Sequence, residues 1–454
     1  MNNHNPIKIM TNKHIVSSLA LSGLLLAITG CNNSLVNNKA TQTVNNIPSS
    51  PYKTKEQTDS KSDSKDVPNA ADDSSSTPEG ISDVVDANNQ FAVSMYQQLN
   101  GQSKQVDSNV FFSPYSLTSA VAMLYAASEG DTKAQIQRTF HYPSLPILNP
   151  NSAALYNQFN KPSSNYKLNT INDLWLQQGR TPNQTYVDMV KRYYGGQVNT
   201  LDFRNNTETS RQVINNKIAR HTNQMIPELL SKESVQPNTS AILTNAVYFK
   251  ADWSSRFWVS GDMSFHYFDG TTSDVDMMFQ NTEFRYSEDE QVQVIELPYK
   301  GIELSMLVVL PKSKEPSAMQ TLIKNLSTTQ ITDWTKRLKQ QDVLLNLPKF
   351  KIDEGYPMKA VLTDMGMPNV FTNQAKFNVF ADSLPIAIDD IHHQAVIDVN
   401  EIGTEAAAAT GVVAVDMSGP MHPPIAFKAD HPFMFMIKDN KTDAILFLGQ
   451  LNKP

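Results

Sequence analysis

The chain has 454 residues, 40% of them apolar and 18% charged, with a formal net charge of -7. That composition is too apolar for a fully disordered chain and too polar for a protein spanning a membrane many times. Mild acidity without clustered Lys and Arg argues against a nucleic-acid partner, and a single Cys excludes an intrachain disulfide and a Cys-rich metal site.

Lys8 and Lys13 precede an apolar stretch from Ile15 to Ile28, and the segment closes Ile28-Thr29-Gly30-Cys31. A positive start followed by an apolar run is the pattern of an export signal, and the run is shorter than the roughly 20 residues that cross a bilayer as a helix. The closing four residues resemble the lipobox of bacterial lipoproteins, in which the peptide is cut before the Cys and its sulfur takes up lipid. The competing reading is an ordinary signal peptide with an incidental Cys. The expectation is that residues 1–30 are a lipoprotein signal peptide, that Cys31 is lipidated and that the membrane is a partner through this lipid. Asn32 is not the Asp that resembles an inner-membrane retention signal, so the exported protein is expected in the outer membrane or at the cell surface, with periplasmic and outward-facing display both open. Residues 31–80 include KTKEQTDSKSDSKD. Such a segment buries too little apolar surface to offset its ordering entropy, so it is expected to be an unstructured tether ahead of a domain spanning 81–454.

Beyond Ser82 the pattern changes. Phe91, Met95 and Leu99 recur at helical spacing, with Ala92 and Tyr96 alongside. Val110-Phe111-Phe112 is a short apolar run ended by Ser113-Pro114. Ser116 is expected to cap a helix carrying Ala120, Val121, Leu124 and Ala127, with Gly130 at its end. Thr132 and Gln135 have the spacing of a capping box for another helix, with Ile136 and Phe140 on its apolar face. Strand signals follow: Ala241 to Phe249, two runs within VIELPYKGIELSMLVVLP joined through Tyr299-Lys300-Gly301, LLNLPKFKI, and three short apolar runs starting at Ile425, Phe433 and Ile445. Helices dominate the first part and strands the second, without βαβ alternation or an internal repeat. This predicts an α+β domain built on antiparallel sheets.

At this point the sequence resembles the serpin family. NVFFSPYSLTSAVAMLYAASEGDTKAQI is similar to its early helix pair, NAVYFKADW to its central strand and IELPYKGIELSMLVVLP to a later strand pair. LPKFKIDEGYPMKAVLTDMGM, the hinge EIGTEAAAAT, and ADHPFMFMI with ILFLGQL complete the set, from about residue 85 to 454 in the family's order. One departure is Lys217, where the family usually carries Trp; it is expected to alter local packing only. The resemblance implies helices packed on three mostly antiparallel sheets with an exposed reactive-centre loop, a monomer, and covalent trapping of serine proteases. The protease attacks the loop and becomes acylated, and the cleaved loop then inserts as a new strand into the main sheet.

The loop must be extended before cleavage and fit a buried slot afterwards. Side chains alternate faces in a strand. If Thr404 points inward on insertion, Ala406, Ala408, Thr410, Val412 and Ala414 follow it, all small or apolar. Glu405 falls on the outward series with Ala407, Ala409, Gly411 and Val413. Counting the family's usual spacing forward from Glu401, with Gly403 inside the hinge, ends at Met417 and puts the bait bond at Met417-Ser418; Val415-Asp416 and Asp416-Met417 are the alternatives. Met before the bond suits chymotrypsin-like, elastase-like or subtilisin-like pockets and argues against trypsin-like ones. Asp416 disfavours many elastases. By resemblance, Ser113, Ser116, Asn245 and His393 form a polar shutter under the centre of the sheet, and Trp253 marks the breach where insertion begins. Titration of His393 is expected to tune the gate near pH 6. Adjacent His392 and His393 on a strand point to opposite faces, so they are not expected to share a metal.

No G-x-S-x-G, H-E-x-x-H, P-loop or G-x-G-x-x-G motif is present, so neither an enzyme nor a bound cofactor is expected. The rival reading is a non-inhibitory serpin acting as a binding or carrier protein. Such members tend to carry bulky or charged hinge residues, unlike Thr404 and the four alanines that follow Glu405.

Overall fold

The computed structural model describes residues 70–102, 108–379, 386–404 and 423–454. The signal segment, Cys31, the hinge residues Glu405 to Thr410, and Met417 and Ser418 lie outside these. In chain order the first elements are α1 (Pro78–Gln102), β1 (Val110–Phe112), α2 (Pro114–Ala127), α3 (Gly130–Phe140), α4 (Leu145–Asn160), β2 (Tyr166–Gln177), α5 (Gln184–Tyr194), β3 (Gln197–Leu201) and α6 (Thr207–His221). Then follow β4 (Ala241–Asp252), β5 (Trp258–His266), β6 (Thr272–Glu288), β7 (Val292–Pro298), β8 (Leu304–Pro311), α7 (Pro316–Asn325) and α8 (Thr328–Arg337). The rest are β9 (Lys339–Pro348), β10 (Phe350–Pro357), α9 (Met358–Asp364), β11 (Asp390–Val399), β12 (Gly403–Thr404), β13 (Ile425–Lys428), β14 (Phe433–Asp439) and β15 (Ile445–Leu451). Among the described residues no helix is long and apolar enough to cross a membrane.

Local chemistry moves three expected boundaries. The described structure starts at residue 70 rather than 81, because short polar residues find partners on α4 and α5. Asn157 exchanges side-chain hydrogen bonds with the Ala71 backbone at 2.7 and 2.8 Å, and Arg192 pairs with Asp72 at 2.5 Å. The cap of α2 is Ser113, whose hydroxyl accepts from the Ser116 N–H with Pro114 in the first turn, so Ser116 sits inside the helix. Gly130 opens α3 at φ 54 instead of closing α2. Thr132 and Gln135 make no capping box: their side chains accept from the Lys376 and Asn369 N–H groups and hold that distant segment against α3.

Among the described residues the strands form two hydrogen-bonded sheets. The six-stranded sheet runs β10-β11-β12-β4-β2-β3, with β11 also pairing β4. The other, of nine strands, runs β1-β15-β14-β8-β7-β6-β9-β13, with β5 on β6. Two of the three expected sheets are joined here because β6, 17 residues long, pairs with β5, β9 and β7 in turn. Most pairings are antiparallel; β2–β3, β4–β11 and β9–β13 are parallel. The main core joins the two sheets, for instance through Phe249 on Phe447 at 5.5 Å and Phe350 on Phe435 at 5.3 Å. A second cluster lies on the opposite face of the six-stranded sheet. There Ile214 and Ile218 of α6, with Ile226, Leu230 and Val235 after it, pack with Ile171, Trp175, Ile242, Ala246 and Val396 of β2, β4 and β11.

Candidate functional site

The site is the seam between β4 and β11. Below its upper end these strands pair directly and in parallel, from Asp390 opposite Ile242 to Val396 opposite Tyr248. At the upper end β12 lies between them, with Thr404 opposite both Val399 and Ala251. One odd-numbered row on β4 and one on β11, including Val247, Phe249, Ala395 and Ile397, face the main core, while Ala246 and Val396 face α6. Thr404 shares the face of its register partner Ala251 and so points into the core. It is fully buried, and its hydroxyl is 2.8 Å from that of Tyr299.

Gly403 is required at this point. A Cβ there would lie 2.2 Å from the Ala251 carbonyl oxygen and 2.6 Å from Asp252 Cα, and backbone cannot yield that distance. Around it the turn is fastened on several sides. Trp253 donates its backbone N–H to Ile402 and its indole N–H to the Asn400 carbonyl at 2.9 Å, and it stacks on Tyr299 with centroids 4.6 Å apart. Glu401 accepts from Phe257 through its carbonyl and pairs through its carboxylate with Lys349 at 2.8 Å. That hydrogen bond is the chief reason the Lys349 ammonium holds its proton to a higher pH than usual.

Halfway down the seam the structure brings Ser113, Ser116, Asn245 and His393 together, all fully buried. Register places Asn245 of β4 opposite His393 of β11. The Ser113 N–H donates to His393 Nε2 at 3.0 Å, so Nδ1 carries the proton and donates to Asn245 Oδ1 at 2.5 Å. Asn245 Nδ2 lies within hydrogen-bond distance of the Ser116 carbonyl, the Ser116 hydroxyl and Asn172 Oδ1. The Ser113 hydroxyl donates to the Leu446 carbonyl at 2.7 Å, which ties the cluster to β15. Burial drives the His393 pKa down to about 3. The expectation that its titration tunes this gate near pH 6 is therefore corrected: in the intact state the ring is neutral there.

His392 alternates with His393 along β11 and shares the face of Val396, the α6 side, away from the cluster. Among the described residues no group of three or more His, Cys, Asp or Glu side chains is placed to hold a metal ion. Sequence reasoning missed Asn172, Tyr299 and Lys349. Asn172 had a signal, an amide interrupting an otherwise apolar stretch; the other two look like ordinary residues of a turn and a strand end.

Comparison with known proteins follows the same outline. Residues 86–454 match the family model described as Serpin (serine protease inhibitor). An uncharacterized serpin-like protein of Methanosarcina mazei is 37% identical over 82% of this chain and 88% of its own length. Leukocyte elastase inhibitor A of Mus musculus is 35% identical over 81% of this chain and 98% of its own. Among solved structures, uncleaved ovalbumin is similar with a TM-score of 0.72 and 26% identity, covering 82% of this chain and 100% of that one.

Proposed function

Because the chain belongs to the serpin family, we propose that it inhibits serine proteases by giving up one bond between β12 and β13 and inserting the freed arm between β4 and β11. The observation that carries this reading is β12 itself, two residues already seated between both walls of the slot. The segment after it is anchored at both ends: Thr404 in the six-stranded sheet and Ile425 on β9 in the other. While both anchors hold, the arm cannot travel down the seam, and a single cut frees it.

The register indicates where the arm goes. Continuing the pairing of Thr404 with Val399 and Ala251 downwards, Thr410 arrives between His393 and Asn245. Its hydroxyl can both donate and accept there as those two side chains part, so the polar row stays satisfied. Insertion exchanges seven parallel register pairs for two antiparallel ladders. At about 1 kcal/mol net per backbone hydrogen bond added, with apolar burial besides, the gain is on the order of 10 kcal/mol, enough to distort an acylated protease before water releases it.

Met417 before the bait bond directs the inhibitor towards proteases with apolar pockets, of chymotrypsin, elastase or subtilisin type. The same reading puts the inhibitor at the cell envelope, exported by residues 1–30 and held by lipid on Cys31. The deciding experiment mixes the protein with chymotrypsin, elastase and subtilisin. The expected product is an SDS-resistant adduct of summed mass, with a released peptide beginning at Ser418. Cleavage in the loop with no adduct would instead support a carrier role.

A further inference from the structure

α6 and the segment behind it bridge the seam. Asn215 exchanges two hydrogen bonds with the backbone of Leu230, both at 2.9 Å, and buried Arg211 donates to the Leu230 carbonyl and pairs with Glu228. Helix and segment thus move as one piece. Their apolar side chains touch Ile242 and Ala246 on one wall of the seam and Val396 on the other. A strand cannot enter between β4 and β11 while this piece clusters with Val396 of β11 and with Ile242 and Ala246 of β4 together.

What fastens the piece to the sheet is an ion pair beneath it. The Lys217 ammonium of α6 lies 2.7 Å from Asp173 Oδ2 of β2, with the two side chains 15% and 2% exposed. It sits 5.2 Å from the centroid of the Trp175 ring and donates to Gln197 of β3 at 3.0 Å. Trp175 in turn donates its indole N–H to Thr244 of β4 at 2.8 Å. One cation on α6 therefore engages β2 and β3 directly and β4 through the ring under it. We propose that Lys217, paired with Asp173 and seated on Trp175, is a latch that holds α6 down across the β4–β11 seam and sets how readily the seam opens. Burial raises the Asp173 carboxyl above its usual range, with Lys217, then His221 and Asn199, pulling it back. An unpaired Asp173 would thus be a poor guest in this site, and the cation is the group that makes it tenable.

The latch rests on the reading that the seam admits a strand, but it can be tested without a protease. Amide exchange of the intact protein is compared at neutral pH for the parent, the double variant Lys217→Gln/Asp173→Asn, and Lys217→Arg. The double variant leaves no buried charge unpaired. Its peptides from α6 and 226–235 are expected to exchange at least about tenfold faster, with β4 and β11 rising alongside and β14 and β15 unchanged. Lys217→Arg, which keeps the cation, should stay within about twofold of the parent. Unchanged exchange in α6 would overturn the latch, as would an equal rise in β14 and β15, which marks a general loss of stability. A second arm measures the trapped fraction of protease, expected to be higher in the double variant because insertion is faster. If the parent traps no protease while the exchange pattern is as expected, the inhibitory reading fails and the latch stands.

Discussion

At the residue scale the burial of two side chains has measurable consequences. Thr404 is enclosed by β11, β4 and Tyr299 and leaves no room for a charge. Thr404→Arg is expected to turn an inhibitor into a substrate, with the trapped fraction falling by about tenfold or more, since a buried unpaired charge is costly. The association rate should hold, because the substitution lies outside the bond attacked, and a titration of inhibitor against protease reads both. His393 is kept neutral by burial, its pKa pushed down to about 3. The native state therefore refuses a proton that the unfolded chain accepts below about 6.5. The stability this contributes is complete above that pH and declines by up to about 1.4 kcal/mol per pH unit down to about pH 3. His393→Gln should flatten the fall of the urea midpoint between pH 6.5 and 4 relative to the parent. The sequence made Ser113, Ser116, Asn245 and His393 legible as a group only through resemblance, because four polar residues scattered over nearly 300 positions carry no local pattern. Their meeting is a product of register.

At the scale of elements, the strands rich in Val, Ile, Phe and Met were readable because both of their faces are buried, as in β4, β8, β14 and β15. β2 was not. Asn169, Asn172 and Asp173 interrupt its apolar residues, and each is accommodated by a tertiary partner: the His221 carbonyl, Asn245 and Lys217 respectively. Capping residues misled for the same reason, since Thr132 and Gln135 spend their side chains on a segment more than two hundred residues away. The parallel pairing of β4 with β11 could not be read at all, and it is the element on which the proposed mechanism turns. Replacing it with two antiparallel ladders should raise the melting temperature of protein cleaved in the loop by about 20 °C or more. Calorimetry of cut and uncut material checks this; equal melting would mean that the arm stays outside.

For the whole molecule, the family was evident in the sequence because several segments occur in the right order, each short but together specific. Composition alone reached no further than excluding a fully disordered chain and a protein spanning a membrane many times. The proposed attachment to a membrane is a separate matter that hangs on one sulfur. Cys31→Ser is expected to move the protein from the detergent phase to the aqueous phase in a cloud-point partition, with protease trapping unaffected; partition that ignores the change would argue against lipid on Cys31.

Gly403 carries a last consequence. Since no other residue fits against the Ala251 carbonyl, the strand added by the proposed insertion starts from a fixed point and every position in it takes a set phase. In that proposed mechanism the run of alanines is a spacer of set length, like a reading frame. Removing Ala408 would keep composition, charge and bulk almost constant, yet it would swap the two faces from that point on, turning Thr410 away from His393 and Asn245. Drift in the length of this stretch should accordingly be more damaging than drift in its letters.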